Sequence, residues 1–142
     1  MTTQDCVPEG WKAVKIEGFM ALIGPLLRST KMEERNTYGL QTTEQHKNHI
    51  GLVHGGVLTS LMDQVLAIVA WNAADRQPTV TVQMDTRFLG AAKAGDFLEA
   101  RASIRHATRS LIFIDAAISS VKGPVASASA IMKISLQAEQ KK

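Results

Sequence analysis

The 142-residue sequence contains a single cysteine, Cys6, which excludes a disulfide framework and leads us to expect a reducing, cytoplasmic location. Its first residues lack a basic segment followed by an apolar one, and we find no apolar run long enough for a bilayer, so no membrane partner is predicted. Cys6 has no evident base nearby, which argues against a nucleophilic role. We expect one domain, 1–142, with residues 1–9 mobile and 137–142 a solvated tail.

The sequence also lacks a large excess of charge of one sign, since the formal net charge is only +3 and the basic residues are scattered. A nucleic-acid interface would combine a basic stripe with interleaved aromatic side chains. Here Phe88, Phe97 and Phe113 fall instead within predicted strands. The sequence therefore predicts no nucleic-acid partner.

Three histidines, His46, His49 and His54, lie within nine residues and raise the question of a metal site. They precede a predicted helix rather than share one of its faces, and no cysteine or carboxylate completes a familiar ligand spacing. We therefore expect no metal and no separate cofactor.

The chain is organised around a predicted helix that runs from Gly55 to about Ala74, where two glycines allow the chain to turn into the helix. Apolar residues cover most of its sides, so we expect it to be buried. Asp63 lies in its middle, and a carboxylate there must be paired, hydrogen-bonded or retained for chemistry. A structural aspartate held by the hydroxyls of Thr59 or Ser60 is one alternative; a catalytic carboxylate is the other.

The start of this helix is a second chemical feature, because its first N–H groups lack internal partners and can polarise a carbonyl oxygen. Gly55 and Asp63 are eight residues apart, which on a helix is about 12 Å. One reacting carbonyl needs its donor and its carboxylate each within roughly 3 Å, so the two groups cannot serve one site within one chain. A two-fold dimer would place Gly55 of one chain opposite Asp63 of the other.

This segment resembles the hotdog-fold acyl-CoA thioesterases of the phenylacetate-pathway (PaaI-like) type. Asn48, Gly51, the triplet 54–56 (His-Gly-Gly) and Asp63 match that family's motif in residue type and spacing, and the resemblance runs from about Gly18 to about Leu136. It implies hydrolysis of acyl-CoA thioesters at a dimer interface. Asp63 would be nucleophile or general base, and the Gly55 amide would polarise the thioester carbonyl.

The resemblance assigns roles to three further residues. Asn48 would position water or the carbonyl through its amide, the alternative being a loop side chain in an Asx turn. His54 would support the oxyanion site or simply brace the turn. Thr81 stands where relatives carry a hydroxyl that helps to hold the water or the carboxylate.

The resemblance and the positions of the lysines also suggest contacts to coenzyme A. Gly56 belongs to the helix start, and Arg109 with Ser110 matches a basic-hydroxyl turn that lies near the nucleotide in the family. Lys93 and Lys122 are cations in other predicted loops. A polyphosphate needs only a few placed cations, which the modest charge permits.

The rest of the chain predicts mostly strands. Val80, Val82 and Met84 are expected on one strand face, with Thr81, Gln83 and Asp85 on the other. The predicted elements are a short helix at Glu17–Ile23 and strands at Leu26–Asn36, Tyr38–Thr43, Thr79–Leu89, Phe97–His106, Leu111–Val121 and Val125–Leu136. Short connections at 108–110 and 122–124 imply an antiparallel meander.

These elements suggest an α+β fold in which a curved antiparallel sheet wraps around one long helix. The resemblance supplies the name hotdog fold, dimerisation through the sheet, and dimers that pair into tetramers. Two other classes are open: a hotdog hydratase or dehydratase, disfavoured because no histidine follows Asp63 in the helix, and a non-catalytic acyl-CoA sensor. The acyl group is also open between aryl, medium-chain and long-chain; Met20, Met62, Met84 and Phe88 are candidates to line its pocket.

Overall fold

The computed structural model describes residues 7–135, and within them the chain forms two α-helices and seven strands in one sheet. The long helix α2 spans Gly55–Ala73, within one residue of the predicted end. The other elements are β1 (Trp11–Ala13), α1 (Phe19–Ile23), β2 (Leu27–Ser29), β3 (Thr37–Gln41), β4 (Thr79–Phe88), β5 (Phe97–Ala107), β6 (Leu111–Ser120) and β7 (Gly123–Ile134).

All neighbouring strands of the sheet are antiparallel, in the order β1-β2-β3-β5-β6-β7-β4. The predicted meander of β5, β6 and β7 is confirmed, because each pairs with the next through a short turn. β4 comes before β5 in sequence but pairs with β7 instead, so it forms one edge of the sheet. The sequence did not predict this placement.

The core lies between α2 and the sheet, as expected for a hotdog fold. Leu61, Met62, Val65 and Leu66 are fully buried on the face of α2 that packs against strands β4 to β7. Burying each such side chain contributes roughly 1.5–3 kcal/mol to folding. Met62 and Met20 belong to this core, and their place in a substrate pocket formed by two subunits stays a prediction.

The first third of the chain departs from prediction. The strand expected over Leu26–Asn36 is wrong: β2 ends at Ser29, and a 3₁₀ helix follows at Met32–Glu34. The Ser29 hydroxyl donates to a Glu34 carboxylate oxygen at 2.7 Å, which holds this turn against the strand. Poor apolar alternation in this segment was the available signal. β1 was not predicted, whereas α1 lies within the short helix that was.

The predicted face assignment along β4 is also wrong beyond its third residue. A bulge between Thr81 and Gln83 inserts an extra residue and shifts the register against β7. Thr81 and Met84 therefore both point towards α2, where Thr81 hydrogen-bonds to the helix and Met84 packs on the core. Gln83 and Asp85 line the opposite, outer face of the sheet.

One expectation about membranes also needs correction. By length and mean hydropathy α2 does qualify as a segment long and apolar enough to cross a bilayer. Core helices meet the same criteria, and the buried face of α2 packs on the sheet. The predictions for residues 1–6, including Cys6, and for 136–142 fall outside the described residues.

Truncation of a core side chain on α2 should test this packing. We predict that Leu66→Ala lowers the free energy of unfolding by about 2–5 kcal/mol, because it leaves a cavity at a fully buried position. The matched control is Leu22→Ala, since Leu22 is 77% exposed and its truncation should change stability little. Urea denaturation of both variants gives the comparison; equal effects would contradict the described core.

Candidate active site

The first three N–H groups of α2 differ in whether they have a hydrogen-bond acceptor. His54 is the N-cap residue, and its Nδ1 accepts a hydrogen bond from Gly56 N–H at 2.8 Å. The His54 carbonyl accepts from Val57 N–H at 2.9 Å. No acceptor within residues 7–135 takes the N–H of Gly55. His54 thus braces the turn, as one of its two predicted roles requires, and leaves Gly55 as a free donor.

A free N–H at the first position of a 19-residue helix is a favourable place for developing negative charge. The ring of Phe88 stands beside it: a Cβ added to Gly55 would lie 3.4 Å from two ring carbons. The donor therefore has an apolar wall on one side, which reduces competition from water. Since Nδ1 of His54 accepts a hydrogen bond, the neutral ring carries its proton on Nε2.

Asp63 is half-buried in the middle of α2 and is held by a single side chain. Thr81 on β4 donates its hydroxyl hydrogen to Asp63 Oδ1 at 2.7 Å. The predicted structural partners, Thr59 and Ser60, do not hold it, because Thr59 donates to the Gly55 carbonyl at 2.9 Å and Ser60 to the Gly56 carbonyl at 2.7 Å. Oδ2 of Asp63 accepts no hydrogen bond from the described residues, so one carboxylate oxygen stays available.

Asn48 has the geometry of the loop alternative. Its Oδ1 accepts from Ile50 N–H at 3.0 Å and from Leu52 N–H at 3.1 Å, which closes the loop ahead of α2. The amide oxygen is therefore engaged in the loop, and only the NH₂ group remains available to a substrate or a water.

His46 braces the same region, a role that the sequence analysis missed. It is buried, its Nδ1 accepts from Thr43 N–H at 2.8 Å, and its Nε2 donates to the Ile23 carbonyl at 2.6 Å. Its carbonyl accepts from His54 N–H at 2.8 Å, so the brace reaches the helix start. The spacing of Thr43 and His46, as in a capping box, was the signal for it. Across residues 7–135 no cluster of potential metal ligands is found.

The four predicted phosphate contacts do not form one cluster within the chain. Asp96 joins the two lysine loops: it accepts from Lys93 N–H at 2.9 Å and lies 3.8 Å from Lys122 Nζ. Lys93 also pairs with Leu52, so this corner adjoins the start of α2. Arg109 and Ser110 precede β6, whereas Lys122 follows it, and ten residues of strand separate them by about 30 Å.

The two groups proposed for chemistry are equally separate. Gly55 and Asp63 both lie in α2, which is one continuous helix, so their backbones are about 12 Å apart. Within one chain the Gly55 donor and the Asp63–Thr81 pair therefore cannot reach the same small carbonyl. A donor at a helix start and a carboxylate are groups that acyl-transfer and hydrolytic enzymes use.

Comparisons with known proteins agree with this class. The profile of the thioesterase superfamily matches residues 50–127, which include the helix start, Asp63 and Thr81. A Pseudomonas aeruginosa protein described as an esterase is 32% identical over 130 residues, covering 90% of this chain and 97% of the relative. The chain belongs to the thioesterase superfamily and is a thioester hydrolase, as the motif indicated.

More distant similarities are to one relative by sequence and to two solved structures by fold. Mouse acyl-coenzyme A thioesterase 13 is 25% identical over 99 residues, covering 70% of this chain and 71% of the relative. A Streptococcus pneumoniae thioesterase protein, solved with coenzyme A, superimposes with a TM-score of 0.67 at 23% identity, covering 89% of this chain and 90% of the other. The Escherichia coli PaaI protein of the phenylacetic acid degradation operon gives 0.65 at 21% identity, covering 89% and 80%.

The free N–H of Gly55 can be removed without disturbing the helix. Proline is well tolerated at the first helical position, and the extended His54 (φ −63°, ψ 137°) suits a residue before proline. We predict that Gly55→Pro lowers kcat for thioester hydrolysis by roughly 10²–10³-fold, the usual cost of a lost oxyanion donor.

Gly55→Ala is the matched control, because it adds a Cβ in ordinary contact with Phe88 and keeps the N–H. It should cost far less than the proline variant. Both should retain wild-type thermal unfolding, measured by circular dichroism. Equal kcat values for the two variants would show that the N–H does not take part.

Proposed function

We propose that this enzyme hydrolyses acyl-CoA thioesters at sites shared between two copies of the chain. The observation that carries the proposal is the free Gly55 N–H about 12 Å along one helix from the half-buried Asp63. Coenzyme A in the Streptococcus pneumoniae structure and the name of the mouse relative support the substrate class.

The sheet edge formed by β4 supports the dimer. Four large apolar side chains on or next to it are more than half exposed: Val80, Val82, Phe88 and Leu89. An exposed apolar edge strand is a surface that proteins usually cover. A second copy that pairs with β4 in antiparallel fashion would extend the sheet and bury these side chains. The two-fold axis would set the partner subunit's Gly55 opposite Asp63. Pairing of such dimers into tetramers is a further proposal, which rests on the resemblance alone.

In this dimer each step of the reaction has a residue that would carry it out. The thioester carbonyl accepts a hydrogen bond from Gly55 N–H, and the partner's Asp63 either attacks the carbonyl carbon or takes a proton from the water that does. The tetrahedral intermediate collapses and expels the coenzyme A thiolate. On the direct route a water then hydrolyses the resulting anhydride, which frees the acid and Asp63. Thr81 holds the carboxylate, His54 keeps Gly56 N–H engaged, and the Asn48 NH₂ group positions water or the carbonyl.

The two-fold axis of the proposed dimer would also bring the predicted phosphate contacts close together. The β5–β6 turn lies at the end of the sheet where β4 begins, because Ser110 O accepts from Ile134 N–H and Ile134 pairs with Thr79. The lysine loops lie where β4 ends, since Leu89 N–H donates to Val125 O. Antiparallel pairing of two β4 strands brings opposite ends together. Arg109 and Ser110 of one chain then approach the partner's Lys93 and Lys122, which together suit a nucleotide with several phosphates. Gly56, exposed beside the helix start, leaves room for the pantetheine arm.

Release of free thiol from a panel of aryl and straight-chain acyl-CoA thioesters tests the function. We predict turnover by the wild type and its loss in Asp63→Asn, because the amide can neither attack the carbonyl nor accept the proton. Binding of a non-hydrolysable acyl-CoA analogue should persist in this nearly isosteric variant. An active Asp63→Asn enzyme would overturn the role of Asp63, and analogue binding without turnover by the wild type would favour a sensor.

A further inference from the structure

A groove of about 340 Å³ runs along α2 beyond Asp63, away from the helix start. Its walls are side chains of α2 and of the segment that leads into β4, and none of the described residues lining it is charged. They are Gln64, Ala67, Ile68, Trp71, Pro78 and Thr79. The groove is thus a mainly apolar concavity outside the residues that carry the chemistry.

The two walls of the groove belong to the same elements that carry Asp63 and Thr81. On α2, Ala67 follows Asp63 by four residues and therefore lies on the same helix face, one turn further on. On β4, Thr79 precedes Thr81 by two residues and shares its face, because the bulge begins only after Thr81. The groove therefore opens directly from the Asp63–Thr81 pair.

The groove has room because Ala67 is small, and it has an end because Trp71 is large. Trp71 follows Asp63 by eight residues, about 12 Å along the helix. Trp71 is 40% exposed, and the Arg76 guanidinium lies over its ring, 5.6 Å from the ring centroid, in cation–π geometry.

In the proposed dimer the partner subunit's helix does not cover this groove. If the partner subunit's Gly55 lies opposite Asp63, the two antiparallel helices cross near Thr59. The partner's helix begins at Gly55, so none of its helical residues lies opposite the stretch from Gln64 to Trp71. The partner's helix therefore leaves the groove unfilled.

We propose that this groove binds the acyl group of the substrate and that the group is uncharged, apolar and of medium length. This inference rests on the proposed acyl-CoA thioesterase function and deepens it. An apolar chain gains from each methylene it buries here, about fourfold in kcat/KM per methylene. A longer chain passes Trp71 into solvent and gains no more.

The test measures kcat/KM by thiol release for acetyl-, butanoyl-, hexanoyl-, octanoyl- and dodecanoyl-CoA. In the wild type kcat/KM should rise with chain length to octanoyl and then level off. Ala67→Phe fills the groove and should lower the octanoyl-to-acetyl ratio at least tenfold. Ala73→Phe is the matched control, since Ala73 is exposed at the end of the same helix and should keep the wild-type ratio. Light scattering should give the wild-type mass for both variants.

A second variant enlarges the groove instead of filling it. Trp71→Ala removes the end wall and should raise the dodecanoyl-to-octanoyl ratio severalfold, so it decides the matter even if Ala67→Phe fails to fold. Unchanged ratios in both variants would overturn the proposal while leaving the thioesterase intact. An equal loss on every chain length in Ala67→Phe would also overturn it, because the groove would then hold pantetheine or the partner subunit. A wild type that releases no thiol from any ester would overturn the proposed function itself.

Discussion

Helical hydrogen bonding along α2 is the constraint on which the rest of this molecule depends. The helix fixes a free N–H at Gly55 and a carboxylate at Asp63, and one face of it is buried against the sheet, so neither group can move towards the other. A flexible loop could bring a donor and a carboxylate to one carbonyl; a buried helix cannot. The separation makes a second copy of the chain part of the proposed chemistry.

The edge strand β4 contributes to the site in three ways. Its hydroxyl at Thr81 fixes Asp63, its exposed apolar side chains offer the surface for a second copy, and Phe88 shields the donor at Gly55. The bulge after Thr81 links these features. It lets Thr81 and Met84 both face the helix, which regular alternation over three residues would forbid. Packing on α2, the proposed assembly and the positioning of the carboxylate therefore all depend on one strand.

Local sequence pattern predicted what depends on neighbouring residues. The boundaries of α2 follow from the glycine pair and the continuous apolar segment, and the β5–β7 meander follows from short turns. The spaced motif also picked out Gly55, which the structure places at the helix start, and Asp63, which it places in a hydrogen bond with Thr81. The resemblance, rather than the periodicity, supplied Thr81 as the partner of Asp63.

Features that depend on contacts between distant parts of the sequence could not be predicted from local pattern. No pattern within β4 indicates that it pairs with β7, and a bulge depends on both strands. The 3₁₀ helix at Met32–Glu34 depends on the contact between Ser29 and Glu34, and the bracing role of His46 depends on Ile23, which is 23 residues away. The opposite placement of Arg109 and Lys122 likewise emerges only once β6 is seen to separate them.

Mixing two inactive variants tests the shared site most directly. Co-expressed Gly55→Pro and Asp63→Asn chains form mixed dimers in which one site has both defects and the other combines an intact Gly55 with an intact Asp63. Random pairing makes half of the dimers mixed, so the account predicts thiol release at about one quarter of the wild-type rate. If each site were built within one chain, every site would carry a defect. Activity no higher than that of the separate variants, in confirmed mixed dimers, would contradict the shared site.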